Sequence, residues 1–173
     1  MPPLEIRLHN GVSDIDAGSW NTLVGSDHPF LAHAFLAGLE EHDCIRRDFG
    51  WQSCPIGLYR NDILVAAAPL YLKGNSHGEF VFDWSWASAY ERAGLDYYPK
   101  LLCAVPYSPV TGSRLLVGNA PDSGHPLDWT ANLPVAVAWD SVASYYLMEK
   151  AQYRKFIKDR LGETGNSDIS PIF

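Results

Sequence analysis

The pattern of apolar and polar positions predicts a strand and then a helix at the start of the chain. Leu4–Leu8 alternates apolar with charged residues, which favours an opening β-strand. Apolar residues near helical spacing follow over residues 12–24. Ser13 and Asp16 resemble a capping box at the start of this helix, and Gly25 is expected to end it.

The same criteria predict seven further elements up to residue 117. They are a helix beginning near Asp27 and Pro29 with Glu40 and Glu41 facing water, strands over Pro55–Arg60 and Ile63–Leu72 joined by a turn at Asn61-Asp62, a strand over Glu79–Asp83, a helix over Trp84–Ala93, and strands over Lys100–Val105 and Arg114–Val117. Asp83 is expected to cap the helix that Gly94 ends. This order predicts an α/β or α+β fold, with a mostly antiparallel sheet flanked by helices.

The chain changes character near residue 118. Residues 1–117 are interpreted as the main domain, and residues 118–135, with their prolines and turn-forming residues, as a linker. Residues 136–161 are predicted to form an amphipathic helix, whose basic side we interpret as a solvated face rather than a nucleic-acid contact. The last residues, 162–173, are expected to be frayed.

Composition places the chain among globular proteins and limits its partners. With 173 residues, of which 47% are hydrophobic and 19% charged, it is long enough for one domain with a core. A formal net charge of −7 argues against a broad phosphate-binding surface, and so against DNA as a partner, whereas a local basic groove stays open. The sequence predicts neither a signal peptide nor a transmembrane segment. The three cysteines lack metal-ligand spacing and favour reduced thiols, so we expect a cytoplasmic location and no bound metal.

Glu79 and Asp83 are the first candidates for acid–base chemistry. If they lie on one strand, four residues of rise place them roughly 13 Å apart. That exceeds the separation of roughly 5–9.5 Å found in glycosidase carboxylate pairs, which argues against a two-carboxylate hydrolase. Asp83 has an ordinary role as a helix cap. Glu79 lies beside a glycine turn among aromatic residues, where it is either an exposed glutamate at a strand end or a general base with a raised pKa.

Further candidates lie at the ends of apolar runs and in turns. Lys73, Lys100 and Arg114 are placed to bind a phosphate or carboxylate, or else are ordinary exposed cations. His77 lies in a glycine-flanked turn, where it accepts a proton, contacts a ligand or does neither. Two phenols at loop edges are placed either to donate protons or to pack, namely Tyr97 and Tyr107.

Two adjoining segments carry a resemblance to a known family. PLYLKGNSHGEFVFDWSWASAYERAG, followed by LDYYPKLLCAVPYSPVTGSRLL, resembles the FemAB-like predicted N-acyltransferases. These form a branch of the GNAT acyltransferase superfamily associated with peptidoglycan biosynthesis or recognition. HPFLAHAFLAGLEEHD and GWQSCPIGLY match the family's upstream segments. The resemblance covers about residues 20–117, whereas the tail from Asn119 matches nothing recognisable, so we expect an incomplete GNAT-like fold.

The resemblance implies transfer of an acyl or aminoacyl group to an amine, for example that of a peptidoglycan precursor. Acyl-CoA or aminoacyl-tRNA is the implied co-substrate, and no tightly bound cofactor is expected. In this scheme Glu79 is the base, and His77 or Tyr107 assists proton transfer. Substrate and donor groups are expected to contact five residues: Lys73, Asp83, Tyr97, Lys100 and Arg114. The usual pyrophosphate motif is poorly matched, because one extra residue separates Arg114 from Gly118.

Two other function classes stay open at this point. The first is a non-catalytic binding or interaction module derived from the same family after loss of its donor-binding half. The second is a carbohydrate-binding module that uses exposed Trp and Tyr side chains. Oligomeric state, donor and acceptor are not specified by the sequence.

Overall fold

The computed structural model describes residues 4–25, 28–80, 83–117, 136–138 and 145–148, the last two ranges by backbone alone. Over these residues the fold is α+β, with eight strands and three helices. In chain order they are β1 (Glu5–Leu8), α1 (Ala17–Val24), α2 (His33–Glu41), β2 (Trp51–Ser53), β3 (Ile56–Arg60), β4 (Ile63–Ala68), β5 (Leu70–Lys73), α3 (Trp84–Arg92), β6 (Lys100–Cys103), β7 (Ala136–Ala138) and β8 (Tyr145–Met148).

The strands form two antiparallel sheets. The first has three strands in the order β1-β3-β4, and the second has five in the order β2-β5-β6-β8-β7. Every strand pair in the second sheet is antiparallel as well. The described fold therefore agrees with the predicted class and its antiparallel pairing.

The chain passes from one sheet to the other at Pro69. Proline has no N–H to donate to a strand ladder, so it favours the end of a strand. The run predicted as one strand over Ile63–Leu72 is therefore two strands, β4 in the first sheet and β5 in the second. The hairpin before it is confirmed, because Asn61 and Asp62 link β3 to β4 with φ values of 51° and 62°. Two left-handed residues in succession are what a type I′ turn requires.

The first two helices begin later than the sequence pattern predicted. Residues 12–14 form a short 3-10 turn, and α1 begins after Asp16, whose carboxylate accepts a hydrogen bond from the Ser19 amide at 2.8 Å. Gly25 ends α1 with a φ of 74°, as predicted. Residues 29–31 form another 3-10 turn before α2. These short turns contribute buried side chains to the core below.

The main core lies between α1, α2 and the two sheets. Trp20 is fully buried in it, and its indole Nε1 donates a hydrogen bond to the Leu31 carbonyl at 2.8 Å. The second sheet also contributes to this core, through residues that alternate along its strands: Leu70, Leu72, Leu101 and Cys103. Because side chains in a strand alternate between faces, the residues between these lie on the opposite face of the sheet.

That opposite face carries a smaller cluster and the predicted site residues. Trp51, Tyr71, Leu102 and Ala104 form the smaller apolar cluster. The three cysteines are free, and Cys103 is buried in the main core. None of the described helices has the length and apolar character needed to cross a membrane.

Several predictions for individual segments are wrong. The helix predicted over residues 136–161 fails at Ala136–Ala138 and Tyr145–Met148, which are strands, with β8 paired to β6. Its other residues, the predicted linker 118–135 and the tail 162–173 lie outside the described residues. Within the described part of Glu79–Asp83 there is no strand, and Phe80 is left-handed with a φ of 59°. The strand predicted over Arg114–Val117 is reduced to a single bridge, between Ala67 and Leu116.

Candidate functional site

The pairing of β5 with β6 brings two lysines together. Lys73 lies directly opposite Lys100 in the register of these antiparallel strands. Residues opposite each other on neighbouring strands point to the same face, so both ammonium groups project from the face opposite the main core. Like charges at such positions destabilise a sheet unless something neutralises them.

Two carboxylates neutralise this pair. Lys100 Nζ contacts Glu79 Oε2 at 2.6 Å and also donates to Asp83 Oδ2, and Lys73 Nζ lies 3.9 Å from Glu79 Oε1. We call these four residues the charge tetrad. Their exposed fractions are 0% for Lys73, 2% for Glu79, 5% for Asp83 and 6% for Lys100. The tetrad is thus a buried ionic cluster with no net charge.

Neutral groups complete the hydrogen bonds of the tetrad at one end. Lys100 Nζ donates to Ser76 Oγ at 3.1 Å, and that hydroxyl lies 2.6 Å from the Tyr98 hydroxyl. Tyr97 donates its phenolic proton to Asp83 Oδ2 at 2.7 Å. Asp83 occupies the position before α3, as predicted, but its side chain makes no capping hydrogen bond within the described structure. The side chain is directed to Lys100 and Tyr97 instead.

At the other end, Lys73 lies under an aromatic ring and a loop. Its ammonium is 3.8 Å from the centre of the Trp51 ring, close enough for a cation–π contact. It also donates to the His77 carbonyl at 3.1 Å and approaches Asn75 Oδ1 at 3.4 Å. These contacts hold the turn over residues 74–78 against the strand that it follows.

Burial shifts the pKa values of Glu79 and Lys73 toward their neutral forms. It raises the pKa of Glu79 to about 6, although Lys100 and Lys73 oppose the shift. It lowers the pKa of Lys73 to about 8, against the attraction of Glu79. Burial would also raise the pKa of Asp83, but hydrogen bonds from Lys100, Ser76 and Tyr97 outweigh it and hold that pKa below its usual range. Glu79 and Lys73 therefore have pKa values near neutrality, whereas Asp83 stays ionised.

The backbone beside Glu79 is strained. Gly78 and Phe80, on either side of it, have φ values of 77° and 59°, and Tyr107 has a φ of 56°. The Tyr107 amide donates to the Gly78 carbonyl at 3.1 Å, so the two strained segments are joined. A bulky residue such as phenylalanine rarely adopts the left-handed region, and strain of this kind is concentrated at functional sites.

The predicted site residues divide into three groups. The first group lies together in and around the tetrad and has five members: Lys73, Glu79, Asp83, Tyr97 and Lys100. His77 lies on the adjoining turn with its side chain exposed, and Tyr107 lies beside Gly78 with its hydroxyl donating to the Cys44 carbonyl at 2.8 Å. Arg114 is buried elsewhere, where its guanidinium donates to the carbonyls of Val110 and Gly112 and holds that loop.

Two expectations about this segment need correction. The alternatives of an exposed glutamate for Glu79 and an exposed cation for Lys73 are wrong, because both side chains are buried under the 74–80 loop. The separation of roughly 13 Å between Glu79 and Asp83 is also wrong, since both carboxylates bond the same ammonium. On α3, Trp84 and Trp86 are 57% and 66% exposed.

Sequence reasoning missed a cavity of about 380 Å³ beside β2. It is lined by segments 10–14, 40–47 and 51–53. Glu40, expected to face water, instead accepts hydrogen bonds from the Val12 amide at 2.9 Å and the Ser53 hydroxyl at 2.5 Å. Nothing in the local pattern of α2 distinguishes Glu40 from its exposed neighbour Glu41. Their difference depends on which elements pack against the helix.

Comparison with known proteins identifies the family. Residues 11–152 match the model of the FemAB-like family, described as peptidoglycan biosynthesis/recognition. The match covers most of the chain, so this protein belongs to the FemAB-like family. It also extends beyond the range of about 20–117 and into the tail that sequence reasoning left unmatched. No curated protein and no solved structure matches the chain.

Proposed function

We propose that this protein is an N-acyltransferase with a GNAT-like fold, which transfers an acyl or aminoacyl group to the amine of a peptidoglycan precursor in the cytoplasm. Membership of the FemAB-like family supports the peptidoglycan theme. The observation that carries the reaction class is the tetrad, where a carboxyl with a pKa of about 6 adjoins an ammonium with a pKa of about 8. Such shifted pairs are typical of acid–base sites.

In the proposed reaction, the amine nitrogen attacks the carbonyl carbon of the donor. Glu79 accepts the proton that the nitrogen loses as the new C–N bond forms. The bond to the leaving group then breaks, and that group, a CoA thiolate or the ribose oxygen of a tRNA, takes up a proton. Lys73 and Lys100 offset negative charge that develops on the carbonyl oxygen. Acyl-CoA or aminoacyl-tRNA serves as co-substrate rather than as a bound cofactor.

The assisting proton donor in this scheme is His77 rather than Tyr107. The His77 side chain is exposed on the same loop as Glu79, whereas the Tyr107 hydroxyl is held by the Cys44 carbonyl. Because Glu79 is 2% exposed, substrate access requires displacement of the loop over residues 74–80. The left-handed residues on either side of Glu79 support this loop as the moving part.

A second candidate function is a non-catalytic recognition module. The observation that favours it is the complete burial and mutual neutralisation of the tetrad, which equally suits a structural role. Carbohydrate binding stays a prediction, which is compatible with the exposure of Trp84 and Trp86. A recognition module would bind a precursor without turnover.

The test is a transfer assay on the full chain with acetyl-CoA, longer acyl-CoAs and aminoacyl-tRNA as donors, and with amine-bearing peptidoglycan precursors as acceptors. Glu79→Gln should abolish transfer while leaving binding of the acceptor nearly intact. Glu91→Gln, at an exposed position on α3, is the matched control and should transfer normally. Transfer that persists unchanged in Glu79→Gln would refute the base assignment, and binding without turnover in the unaltered protein would favour the recognition module.

A further inference from the structure

The two carboxylates that Lys100 bridges have different surroundings. Lys100 Nζ contacts Glu79 Oε2 at 2.6 Å and also donates to Asp83 Oδ2. The same Oδ2 atom accepts a second hydrogen bond, because the Tyr97 hydroxyl donates to it at 2.7 Å. A charged donor and a neutral donor therefore meet at one oxygen of Asp83. Glu79 has a second cation instead, since Lys73 Nζ lies 3.9 Å from its Oε1.

Ring packing orients the Tyr97 phenol independently of this hydrogen bond. The ring meets Tyr90 of α3 edge to face with 5.2 Å between the ring centres, and it meets Tyr98 in the same way at 5.0 Å. The ammonium of Lys100 lies 5.4 Å from the centre of the Tyr97 ring. These neighbours direct the hydroxyl at Asp83, so a phenylalanine at this position would keep the packing and lose only the donor.

Two carboxylates that lie close to each other compete for a proton. The polar and charged groups that face this pair come from β5, β6, the 74–80 loop and the segment before β6: Lys73, Lys100, Ser76 and Tyr97. Repulsion between two neighbouring anions favours protonation of one of them first. A hydrogen bond from a phenol is stronger when its acceptor is ionised. Tyr97 therefore favours the ionised form of Asp83.

We propose that Tyr97 is a positioning residue, which directs an incoming proton to Glu79 by holding Asp83 in its ionised form. The pKa values of the two carboxyl groups agree with this role, because that of Asp83 lies below its usual range whereas that of Glu79 is raised to about 6. Burial and then the hydrogen bond to Asp83 raise the pKa of Tyr97 itself, so the phenol keeps its own proton.

The value of this arrangement for catalysis rests on the proposed function. In that reaction the attacking amine loses a proton, and Glu79 is the group that accepts it. Asp83, kept ionised by two donors, does not compete for that proton. The resemblance implied a substrate contact for Tyr97, whereas the hydrogen bond to Asp83 gives it a role through another residue. Where an incoming proton binds is a property of the folded chain and can be measured without any transfer.

The test is an NMR titration of the full chain with ¹³C-labelled side-chain carboxyl carbons in glutamate and aspartate. Glu79→Gln and Asp83→Asn assign the two signals. In the unaltered chain, Glu79 should titrate at a higher pH than Asp83. Tyr97→Phe should narrow the gap between the two midpoints by about one pH unit or more, because Asp83 loses a hydrogen bond to its charged form. That corresponds to about a tenfold loss in the preference of the proton for Glu79.

Tyr90→Phe is the matched control, because it removes a hydroxyl from the same group of rings and leaves the bond to Asp83 in place. The gap in this variant should equal that of the unaltered chain. A merely structural role for Tyr97 would lower stability without changing the gap. An unchanged gap in Tyr97→Phe, or an equal narrowing in Tyr90→Phe, would overturn the proposal.

A second measurement decides the matter if Tyr97→Phe does not fold. Introducing 3-fluorotyrosine at position 97 alone keeps the shape of the ring and makes the hydroxyl a stronger donor, so the gap should widen. A gap that narrows or stays the same, or an Asp83 that titrates above Glu79 in the unaltered chain, would overturn the proposal. Absence of transfer in the unaltered chain would refute the proposed function but leave the titration result standing. Normal transfer with an unchanged gap in Tyr97→Phe would refute only the role of Tyr97.

Discussion

Replacing Lys100 by methionine tests whether the tetrad stabilises the fold. Lys100 Nζ bonds Glu79, Asp83 and Ser76, and the side chain is 6% exposed. Methionine keeps much of the volume and removes the charge. Asp83 would then keep the phenol of Tyr97, and Glu79 would have its ion pair with Lys73 at 3.9 Å. The variant thus leaves a buried carboxylate without adequate compensation.

The expected loss in the free energy of unfolding is about 3–5 kcal/mol, the range found when one partner of a buried ion pair is removed. The measurement is urea unfolding at pH 7, followed by circular dichroism in the full chain. Adding Asp83→Asn to Lys100→Met removes the orphaned charge, so the double variant should be more stable than Lys100→Met alone. A stabilising effect of Asp83→Asn in the Lys100→Met background is the specific signature of charge compensation.

Arg92→Met on α3 is the matched control, since Arg92 is exposed. It should change the free energy of unfolding by less than about 0.5 kcal/mol. A loss below about 1 kcal/mol for Lys100→Met would refute the reasoning, because it would mean that the buried carboxylates need no cation. A double variant less stable than Lys100→Met would refute it in another way, by showing that Asp83 contributes through contacts other than the ion pair.

Three further predictions concern strain, pH and the core. Gly78→Ala should be more destabilising than Gly94→Ala in thermal unfolding, because both glycines are left-handed but only at Gly78 would the new Cβ meet the Tyr107 ring, at 2.7 Å. An equal loss of stability in the two variants would contradict this. Raising the pH from 4.5 to 6 should reduce the stability of the unaltered chain relative to Glu79→Gln, because the pKa of Glu79 rises from 4.5 to about 6 on folding and the folded state therefore binds the proton more tightly. A urea midpoint of the unaltered chain that increases relative to that of Glu79→Gln over this pH range would contradict this. Trp20→Ala should lower the free energy of unfolding by about 3–5 kcal/mol in the same urea assay, and a loss below about 1 kcal/mol would show that the side chain is not packed as described.

The sequence predicted best what depends on a few neighbouring residues. The hairpin at Asn61-Asp62 was predicted because asparagine and aspartate tolerate the left-handed conformations that the turn requires. The stop of α1 at Gly25 follows from the same kind of local chemistry. Such features need no knowledge of the rest of the fold.

The charge tetrad could be predicted only in part. The sequence singled out each member of the tetrad, but as separate groups: two lysines at the ends of apolar runs, a glutamate beside a glycine turn and an aspartate at a helix cap. Their meeting depends on the register of β5 with β6, which spacing along the chain does not specify. Apolar alternation over residues 79–83 suggested a strand, whereas the left-handed Phe80 bends the chain back over the lysines.

The tail shows how tertiary pairing overrides a local pattern. Apolar spacing over residues 136–161 predicted a helix, yet Tyr145–Met148 pairs with β6 at the middle of the second sheet. Short apolar stretches satisfy helical and strand periodicity almost equally, and the available sheet edge decides between them.

The neutrality of the tetrad has a consequence for how a charged molecule approaches this protein. The electric fields of two cations and two anions in contact largely cancel a few ångströms away, so the lysines do not attract a distant phosphate. What a phosphate-bearing donor meets at long range is the chain's formal charge of −7. Added salt screens that repulsion, and encounters with such a donor should therefore become faster as ionic strength increases.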